Sequence, residues 1–275
     1  MRRRLLRGFL ILAGLAAALV VFAYWTAIQD PVVRRLRVPV KPWPAGARPM
    51  RVVLISDLHV GGPDMPPRRL ARIVAQVDAL DPDLVLIAGD FITDRRLATR
   101  HYSHDEAVAP LAALRPRLAT LAVMGNHDHW RDGAAAHRAL ARAGIRVLDN
   151  QAVQVGPLAV GGLDDDWSHH ADIPATMAAL SRLKGPRLLL SHSPDPFFDL
   201  PADVRLMVAG HTHCGQVALP LIGPLSTMSH HGRRYACGVI RERGKVLVVT
   251  AGLGTSGVPL RLGAVPDLWL IEVGR

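Results

Sequence analysis

Two kinds of hydrophobic pattern divide the chain. The first is one continuous apolar stretch, because residues 8–28 (GFLILAGLAAALVVFAYWTAI) contain no charged side chain. The second begins near residue 51, where short apolar runs alternate with segments of helical periodicity. The apolar runs are typical of buried strands and cover residues 52–55, 84–88, 121–124, 158–161, 188–190 and 206–209. The intervening segments predict helices near residues 67–80, 105–115, 133–143 and 173–183.

This alternation predicts an α/β fold. After Gln216 the helical pattern stops, and residues 235–240, 246–250 and 268–273 predict a closing set of antiparallel strands. The chain has 275 residues, enough to bury a full core in one domain over residues 51–275.

The N-terminal stretch predicts a single membrane anchor over residues 1–30. Its 21 uncharged residues match the roughly 20 that cross a bilayer core, and Tyr24 and Trp25 suit the membrane interface. Residues 31–50 are rich in Pro and Arg and predict an extended tether. Basic residues flank the apolar stretch on both sides, so their count does not decide which side of the membrane the domain faces. The Arg2–Arg3–Arg4 cluster also resembles a twin-arginine export signal.

Charge and cysteine content narrow the function only slightly. The net charge is +10, but the arginines are scattered and are not interleaved with aromatic residues, so no nucleic-acid partner is expected. Cys214 and Cys237 are too few for an all-cysteine zinc site, and the sequence leaves open whether they pair. Oligomeric state has no signal in the sequence.

Polar side chains with metal-binding chemistry follow five of the predicted strands. In open α/β sheets, ligands bind beyond the carboxyl ends of the strands, so these positions are candidates for one shared site. Glycines before three of them allow sharp turns of the backbone. The strand-end residues are Asp57, His59, Asp90, Asn126, His127, Asp128, His192, His211 and His213.

In order along the chain, these residues spell D-x-H, G-D, G-N-H-D, a lone His and G-H-x-H. The series resembles the signature of calcineurin-like metallophosphoesterases. Within that superfamily, GHTHCGQ and the later GLGTSGVPLRLGAVP are similar to the membrane-associated YkuE-like branch, although Cys214 stands where that branch usually has a second glycine. The resemblance implies a four-layer α/β/β/α sandwich of two mixed sheets, preceded here by one transmembrane or signal-anchor helix.

The resemblance also implies a role for each residue. Asp57, His59 and His213 are expected to hold one divalent metal ion and Asn126, His192 and His211 a second, with Asp90 bridging the two. Imidazole and carboxylate ligands suit Mn, Fe, Zn or Co, and the sequence does not choose among them. By the same resemblance, His127 contacts the phosphate and protonates the leaving oxygen, and Asp128 holds the His127 ring.

The implied reaction is hydrolysis of a phosphodiester or pyrophosphate bond in a phosphorylated, lipid-linked substrate at the bacterial inner membrane. Similar proteins cleave UDP-2,3-diacylglucosamine to lipid X and UMP in lipid A synthesis, and this is one expected activity. That substrate is made on the cytoplasmic side. An envelope phosphodiesterase or phosphatase acting on phospholipid or wall polymer is the alternative if the domain is exported. The apolar residues 217–225, directly after the GHTHCGQ loop, are candidates for contact with the membrane.

Two other functional classes fit the sequence less well. A metal-free scaffold on the same fold would be expected to lose ligands, and none is lost here. Residues 252–257 spell a dinucleotide-binding pattern, but Pro259 and Pro266 prevent the helix that would bind pyrophosphate.

The remaining polar residues give weaker signals. Asp164, Asp165 and Asp166, with His169 and His170, are expected either in a solvated turn or along the substrate groove. Arg261 is expected either to contact a phosphate or to form a surface ion pair. No metal is assigned to the other histidines, which are His101, His104, His129, His137, His230 and His231.

Overall fold

The computed structural model describes residues 2–95, 98–219 and 221–275. These residues form helices α1 (Arg2–Ile28), α2 (Pro67–Asp78), α3 (His104–Val108), α4 (Asn126–Arg142) and α5 (Ile173–Ser181). The strands in the first half are β1 (Val32–Pro39), β2 (Met50–Ile55), β3 (Leu84–Ala88), β4 (Ala119–Val123), β5 (Arg146–Val147), β6 (Gln151–Val155) and β7 (Leu158–Leu163). Those in the second half are β8 (Arg187–Ser191), β9 (Val204–Ala209), β10 (Ala218–Leu219), β11 (Gly223–Pro224), β12 (Gly238–Glu242), β13 (Lys245–Val249) and β14 (Asp267–Gly274).

The long strands form two mixed sheets of six strands each, with orders β1-β14-β2-β3-β4-β5 and β12-β13-β9-β8-β7-β6. In the first sheet β2, β3, β4 and β5 are parallel, and β14 runs antiparallel to β2. In the second, β7, β8, β9 and β13 are parallel. The short strands β10 and β11 form a separate hairpin. The predicted α/β fold with two mixed sheets is confirmed.

The two sheets pack face to face, with helices on their outer surfaces. Alternate residues of a strand point to opposite faces, so Leu54 of β2 packs toward the second sheet while Val53 and Ile55 pack against α2 and its neighbours. On the far side, α5 covers the second sheet through Leu180. The result is the expected four-layer α/β/β/α arrangement.

Strand β1 lies where the sequence predicted an extended tether. It pairs in parallel with β14 along its whole length, from Val32 opposite Asp267 to Pro39 opposite Gly274. The sequence of β1 lacks the hydrophobic pattern of a buried strand because β1 lies at the edge of the sheet, where Val38 is its one buried residue. The folded domain therefore includes residues before position 51.

The strands at the C-terminal end do not form one closing set. Strands β12 and β13 form an antiparallel hairpin in the second sheet, whereas β14 belongs to the first sheet and lies between β1 and β2. One helix boundary differs from the prediction, because α3 ends at Val108 and a 3-10 turn follows at Ala109–Ala113. Helix α4 is interrupted by extended backbone at Asp132, whose Oδ1 accepts from the Ala135 amide at 2.9 Å. Its second segment is the helix predicted near residues 133–143, and the first segment, from Asn126, was not predicted.

Helix α1 is apolar and projects from the domain. Its 27 residues include an 18-residue window of mean hydropathy 2.4 that is entirely unburied, so the helix is long and apolar enough to cross a bilayer. Within the described parts of the chain, the buried residues of α1 are at its C-terminal end and are Ala23, Thr26 and Ala27. There the Ala23 carbonyl accepts a hydrogen bond from the Arg261 backbone amide at 3.0 Å. Just beyond the helix, Arg69 Nη2 donates to the Gln29 carbonyl at 2.6 Å.

The pairing of β1 predicts that two N-terminal deletions will behave differently. Removing residues 1–30 should give a soluble, folded domain, because it leaves both sheets intact. Removing residues 1–44 also deletes β1 and the buried Trp43, and should lower the free energy of unfolding by about 3 kcal/mol or more. Urea unfolding of the two proteins measures the difference. Equal stability would show that β1 adds nothing to the domain.

Candidate metal centre

Seven polar side chains from five strand ends converge in the interior. Asp57 and His59 follow β2, Asp90 follows β3, and Asn126 follows β4 as the first residue of α4. His192 follows β8, and His211 and His213 follow β9. Each of the seven is at most 5% exposed. Parallel strands deliver these residues to one edge of the sandwich, as their positions in the sequence indicated.

Interatomic distances divide the seven into two groups that share Asp90. In the first group, His59 Nε2 lies 3.1 Å from His213 Nε2, which is 3.3 Å from Asp57 Oδ1. In the second, His192 Nε2 lies 3.1 Å from both Asn126 Oδ1 and His211 Nδ1. Asp90 Oδ2 lies between them, 3.4 Å from His59 Nε2 and 3.3 Å from His192 Nε2. The two ligand sets that the resemblance implied stay a prediction, and Asp57, Asp90 and His192 also lie close enough to share one ion.

The backbone around the site is strained. Asp57, His59, Asp90, His211 and His213 all have φ between 43° and 68°, a left-handed conformation that non-glycine residues rarely adopt. Neighbouring glycines make this packing possible: a Cβ on Gly125 would lie 2.3 Å from Asp90 Oδ1. Strain of this kind concentrates at functional sites, where the surrounding fold holds it in place.

The electrostatics of the cluster fit metal binding. Burial lowers the pKa of His59 and of His211 to about 3 and that of His213 to well below its usual value, so these rings are neutral and have a free lone pair. Burial would raise the pKa of Asp90, but His192, His127 and His59 around it together outweigh burial and lower that pKa well below its usual value. His211 Nε2 is buried without a hydrogen-bond partner. Carboxylate and neutral imidazole donors around an unpaired ring nitrogen are a suitable environment for Mn, Fe, Zn or Co.

His127 lies beside the two groups, at the second position of α4. Its ring centroid is 4.9 Å from that of His59, and it offers a donor atom within 4.8 Å of His59 and Asp90. Its Nδ1 lies 2.8 Å from Asp94 Oδ1, and Nε2 lies 3.4 Å from Ser256 Oγ. Burial lowers its pKa, but Asp90 and Asp94 outweigh burial and raise that pKa to about 9. Asp94 therefore lies beside Nδ1 and favours the charged form of the ring.

Asp128 does not hold the His127 ring as expected. Its carboxylate accepts hydrogen bonds from the backbone amides of Asp90 at 2.8 Å, Phe91 at 2.9 Å and Gly125 at 2.9 Å. The cause is its place in the first turn of α4, where an acidic side chain turns back to bind free amides. Asp128 therefore joins the loop that contains Asp90 to the loop that contains Asn126. The acidic residue beside the His127 ring is Asp94, which the sequence analysis missed.

Arg261 occupies neither of the two positions expected for it. It is fully buried, and its guanidinium donates to the carbonyls of Ala251 at 2.7 Å and Gly254 at 2.5 Å. Its Nη2 also lies 3.3 Å from His213 Nδ1. Arg261 thus supports the metal-binding loop from behind and contacts neither solvent nor the open side of the site.

Arg261→Met is therefore expected to destabilise the fold by about 3 kcal/mol or more, because several buried carbonyls lose their donor. Thermal unfolding measures the effect. Arg241→Met, at an exposed position of β12, is the matched control and should change stability by less than about 0.5 kcal/mol. If the two variants melt alike, Arg261 does not support the loop.

The segment Asp164–His170 is partly buried and borders the site through one residue. Asp164 Oδ1 lies 2.7 Å from His129 Nε2, and Asp165 Oδ2 accepts from the Ser168 amide at 2.6 Å. Trp167 lies in the same segment. Its ring centroid is 5.1 Å from that of His211, and it stacks on His230 at 5.0 Å. Asp164 and Asp165 are thus buried, whereas His169 and His170 are exposed at the end of the turn, so the solvated turn expected here is confirmed for its second half alone. Trp167, a lone aromatic in an acidic run, was a signal that the sequence analysis overlooked.

Cys214 and Cys237 form a disulfide. Cys214 directly follows His213, so the bridge ties the metal-binding loop to the segment that precedes β12. Thr212 adds a second link, since its Oγ1 donates to the Ala236 carbonyl at 2.7 Å.

The fold and the buried Asp/His groups define a metal-dependent phosphoesterase. Residues 50–215 match the family model of the calcineurin-like phosphoesterases. The chain belongs to this family.

Named relatives extend the similarity over most of the chain. A transmembrane protein with a metallophosphoesterase domain from Danio rerio is 30% identical over 92% of this chain, which spans only 60% of that protein's length. The uncharacterized metallophosphoesterase YkuE of Bacillus subtilis is 30% identical over 97% of this chain and 95% of its own length. The phosphodiesterase YaeI of Escherichia coli is 31% identical over 82% of this chain and 83% of its own length.

Proposed function

We propose that this protein is a dinuclear phosphodiesterase that α1 anchors to the outer face of the bacterial cytoplasmic membrane, where it hydrolyses a lipid-borne phosphodiester. The observation that carries the proposal is the pair of buried donor groups that meet at Asp90. Asp57, His59 and His213 would hold one ion, and Asn126, His192 and His211 the other. Two ions held in this way would lower the pKa of a bound water and so supply a nucleophile for phosphorus near neutral pH.

The protein's own residues complete the chemistry. His127 Nε2 faces Ser256 and would donate a proton to the leaving oxygen, while Asp94 lies beside the opposite nitrogen and favours the charged ring. Trp167 and Trp130, whose ring centroid is 5.0 Å from that of His127, border the site on two sides. Aromatic surfaces here would restrict how the substrate approaches.

The disulfide supports a location of the catalytic domain on the outer face of the membrane. Disulfides persist in oxidising compartments and are rare in the cytosol, and this one joins the metal-binding loop itself. An outward domain favours phospholipid or wall polymer over UDP-2,3-diacylglucosamine, which is made on the cytoplasmic side. The phosphodiesterase YaeI, among the relatives, supports diester over monoester hydrolysis.

The test combines substrate class with topology. Full-length protein loaded with Mn is assayed against phosphatidylglycerol vesicles, UDP-2,3-diacylglucosamine and a phosphomonoester, and an alkaline phosphatase fused at the C-terminus reports the side of the membrane. We expect an active reporter and hydrolysis of the phospholipid diester. A silent reporter together with turnover of only the UDP substrate would overturn the envelope assignment in favour of the lipid A reaction.

A further inference from the structure

The loop at residues 253–258, between β13 and β14, packs against the backbone of the metal-binding segment that follows β2. The Gly254 amide donates a hydrogen bond to the Asp57 carbonyl at 2.7 Å. A Cβ on Gly254 would lie 2.1 Å from the carbonyl oxygen of Leu58, so a larger residue could not approach so closely. The start of the loop is therefore held directly against the metal-binding residues.

Two polar side chains fix the middle of this loop. Thr255 is fully buried, and its Oγ1 donates to Asp64 Oδ2 at 2.7 Å and accepts from Arg95 Nη1 at 2.7 Å. Gln216 holds the next residue, because its Oε1 accepts from the Ser256 amide at 2.8 Å and its Nε2 donates to the Ser256 carbonyl at 2.9 Å. The backbone that carries the Ser256 side chain is therefore fixed in place.

The hydroxyl of Ser256 differs from these anchored groups. Ser256 is half-buried and Gly257 after it is exposed, so the loop faces solvent at this point. Within the described residues, the one hydrogen-bond partner of Ser256 Oγ is His127 Nε2, at 3.4 Å. The acid role proposed for His127 places the hydrogen on Nε2, so Oγ accepts in this contact. The hydroxyl hydrogen of Ser256 is then available to another acceptor.

The position of this hydroxyl relates it to the substrate. An oxygen that takes a proton from His127 must come within hydrogen-bond distance of Nε2, about 2.6–3.2 Å. Because Ser256 Oγ contacts the same nitrogen, a phosphate bound there lies beside the hydroxyl. The two non-bridging oxygens of a phosphodiester share its negative charge and are strong acceptors. A donor that the fold already holds in place can stabilise such an oxygen without reorganisation.

We propose that Ser256 is a further catalytic residue, whose hydroxyl donates a hydrogen bond to one non-bridging oxygen of the scissile phosphate. The inference rests on the proposed phosphodiesterase activity and adds a substrate contact to it. Ser256 forms no covalent bond in this role and transfers no proton, and His127 remains the acid for the leaving oxygen.

Three variants test the contact with full-length, Mn-loaded enzyme and p-nitrophenyl hexadecyl phosphate in detergent micelles. Ser256→Ala removes the hydroxyl, and Ser256→Thr keeps one. Ser181→Ala, at the exposed end of α5, is the matched control. We expect Ser256→Ala to lower kcat/KM about tenfold or more, Ser256→Thr less than about threefold, and the control to match wild type.

Two outcomes of this assay separate the contact from the activity itself. If Ser256→Ala hydrolyses the ester as well as the control does, the Ser256 proposal is overturned while the phosphodiesterase stands. No turnover of the ester by wild type would instead remove the proposed function.

Sulfur substitution identifies the atom that Ser256 contacts. The corresponding phosphorothioate has two enantiomers, and each places the weakly accepting sulfur at a different non-bridging position. We expect the factor between wild type and Ser256→Ala to fall to about twofold with one enantiomer and to stay near tenfold with the other. A factor that is the same for both enantiomers would contradict a hydrogen bond to one non-bridging oxygen. A merely structural role of Ser256 would give this second result.

Inorganic phosphate gives a readout independent of turnover. Isothermal titration of the Mn-loaded proteins should show a Kd for phosphate that is about three- to tenfold higher in Ser256→Ala than in wild type. Ser256→Thr and Ser181→Ala should bind phosphate about as wild type does. Equal phosphate affinity in Ser256→Ala and wild type would contradict the proposed contact.

Discussion

Asp90→Asn is expected to abolish phosphodiester hydrolysis, with a loss of roughly 10³-fold or more. Asp90 Oδ2 is the atom that lies within 3.4 Å of both donor groups, so the substitution removes negative charge from both ion positions at once. The Asp90→Asn protein should also bind less transition metal than wild type, because a neutral amide is a weaker ligand than a carboxylate. Steady-state kinetics and elemental analysis of the purified variant measure the two effects.

The control for this variant is Asp105→Asn, which changes a carboxylate that is 63% exposed. It should leave both activity and metal content at the wild-type level. Near-wild-type turnover in Asp90→Asn would contradict a shared bridging carboxylate. A circular dichroism spectrum like that of wild type would show that the loss in Asp90→Asn is not due to unfolding.

His127→Ala should keep its metal ions and lose about 10²- to 10⁴-fold in rate on substrates with a poor leaving group. The ring lies outside both donor groups. An ester of p-nitrophenol has a good leaving group and does not need the proton that His127 would supply. The loss on p-nitrophenyl esters should therefore be smaller. Rates are measured for a series of esters whose leaving groups differ in pKa. In a plot of the logarithm of the rate against leaving-group pKa, the difference between variant and wild type is a change of slope.

Asp94→Asn refines the same prediction. Asp94 lies 2.8 Å from His127 Nδ1 and raises the pKa of the ring, so its removal should weaken the acid without deleting it. We expect a loss of about tenfold with the same dependence on leaving group. An equal loss on every leaving group in both variants would remove His127 from the acid role.

The candidate metal-binding residues could be selected from the sequence because their signal is local. Each follows an apolar strand directly, and strand ends of a parallel sheet meet at one edge whatever the remaining topology. Asp57, Asp90 and His192 could therefore be selected by reading a few residues at a time. The order of the motifs supplied the family resemblance, and with it the division into two groups.

Other features depend on contacts between distant parts of the chain. Asp94 is partly exposed and follows no pattern, and only the approach of α4 brings His127 to it. Arg261 is buried because carbonyls of the preceding loop surround it, which a charged residue in a Pro- and Gly-rich segment does not reveal. Strand β1 depends on backbone pairing with β14, which lies more than 200 positions away in the chain.

The most direct test of the central claim is the metal content of the purified full-length protein, measured by inductively coupled plasma mass spectrometry. Two donor groups joined by Asp90 predict about two transition-metal ions per chain. Removal of these ions by a chelator should abolish hydrolysis, and Mn should restore it. A protein that is folded yet contains no stoichiometric transition metal, and gains no activity when Mn is added, would contradict a dinuclear hydrolase and leave a metal-free scaffold on the same fold.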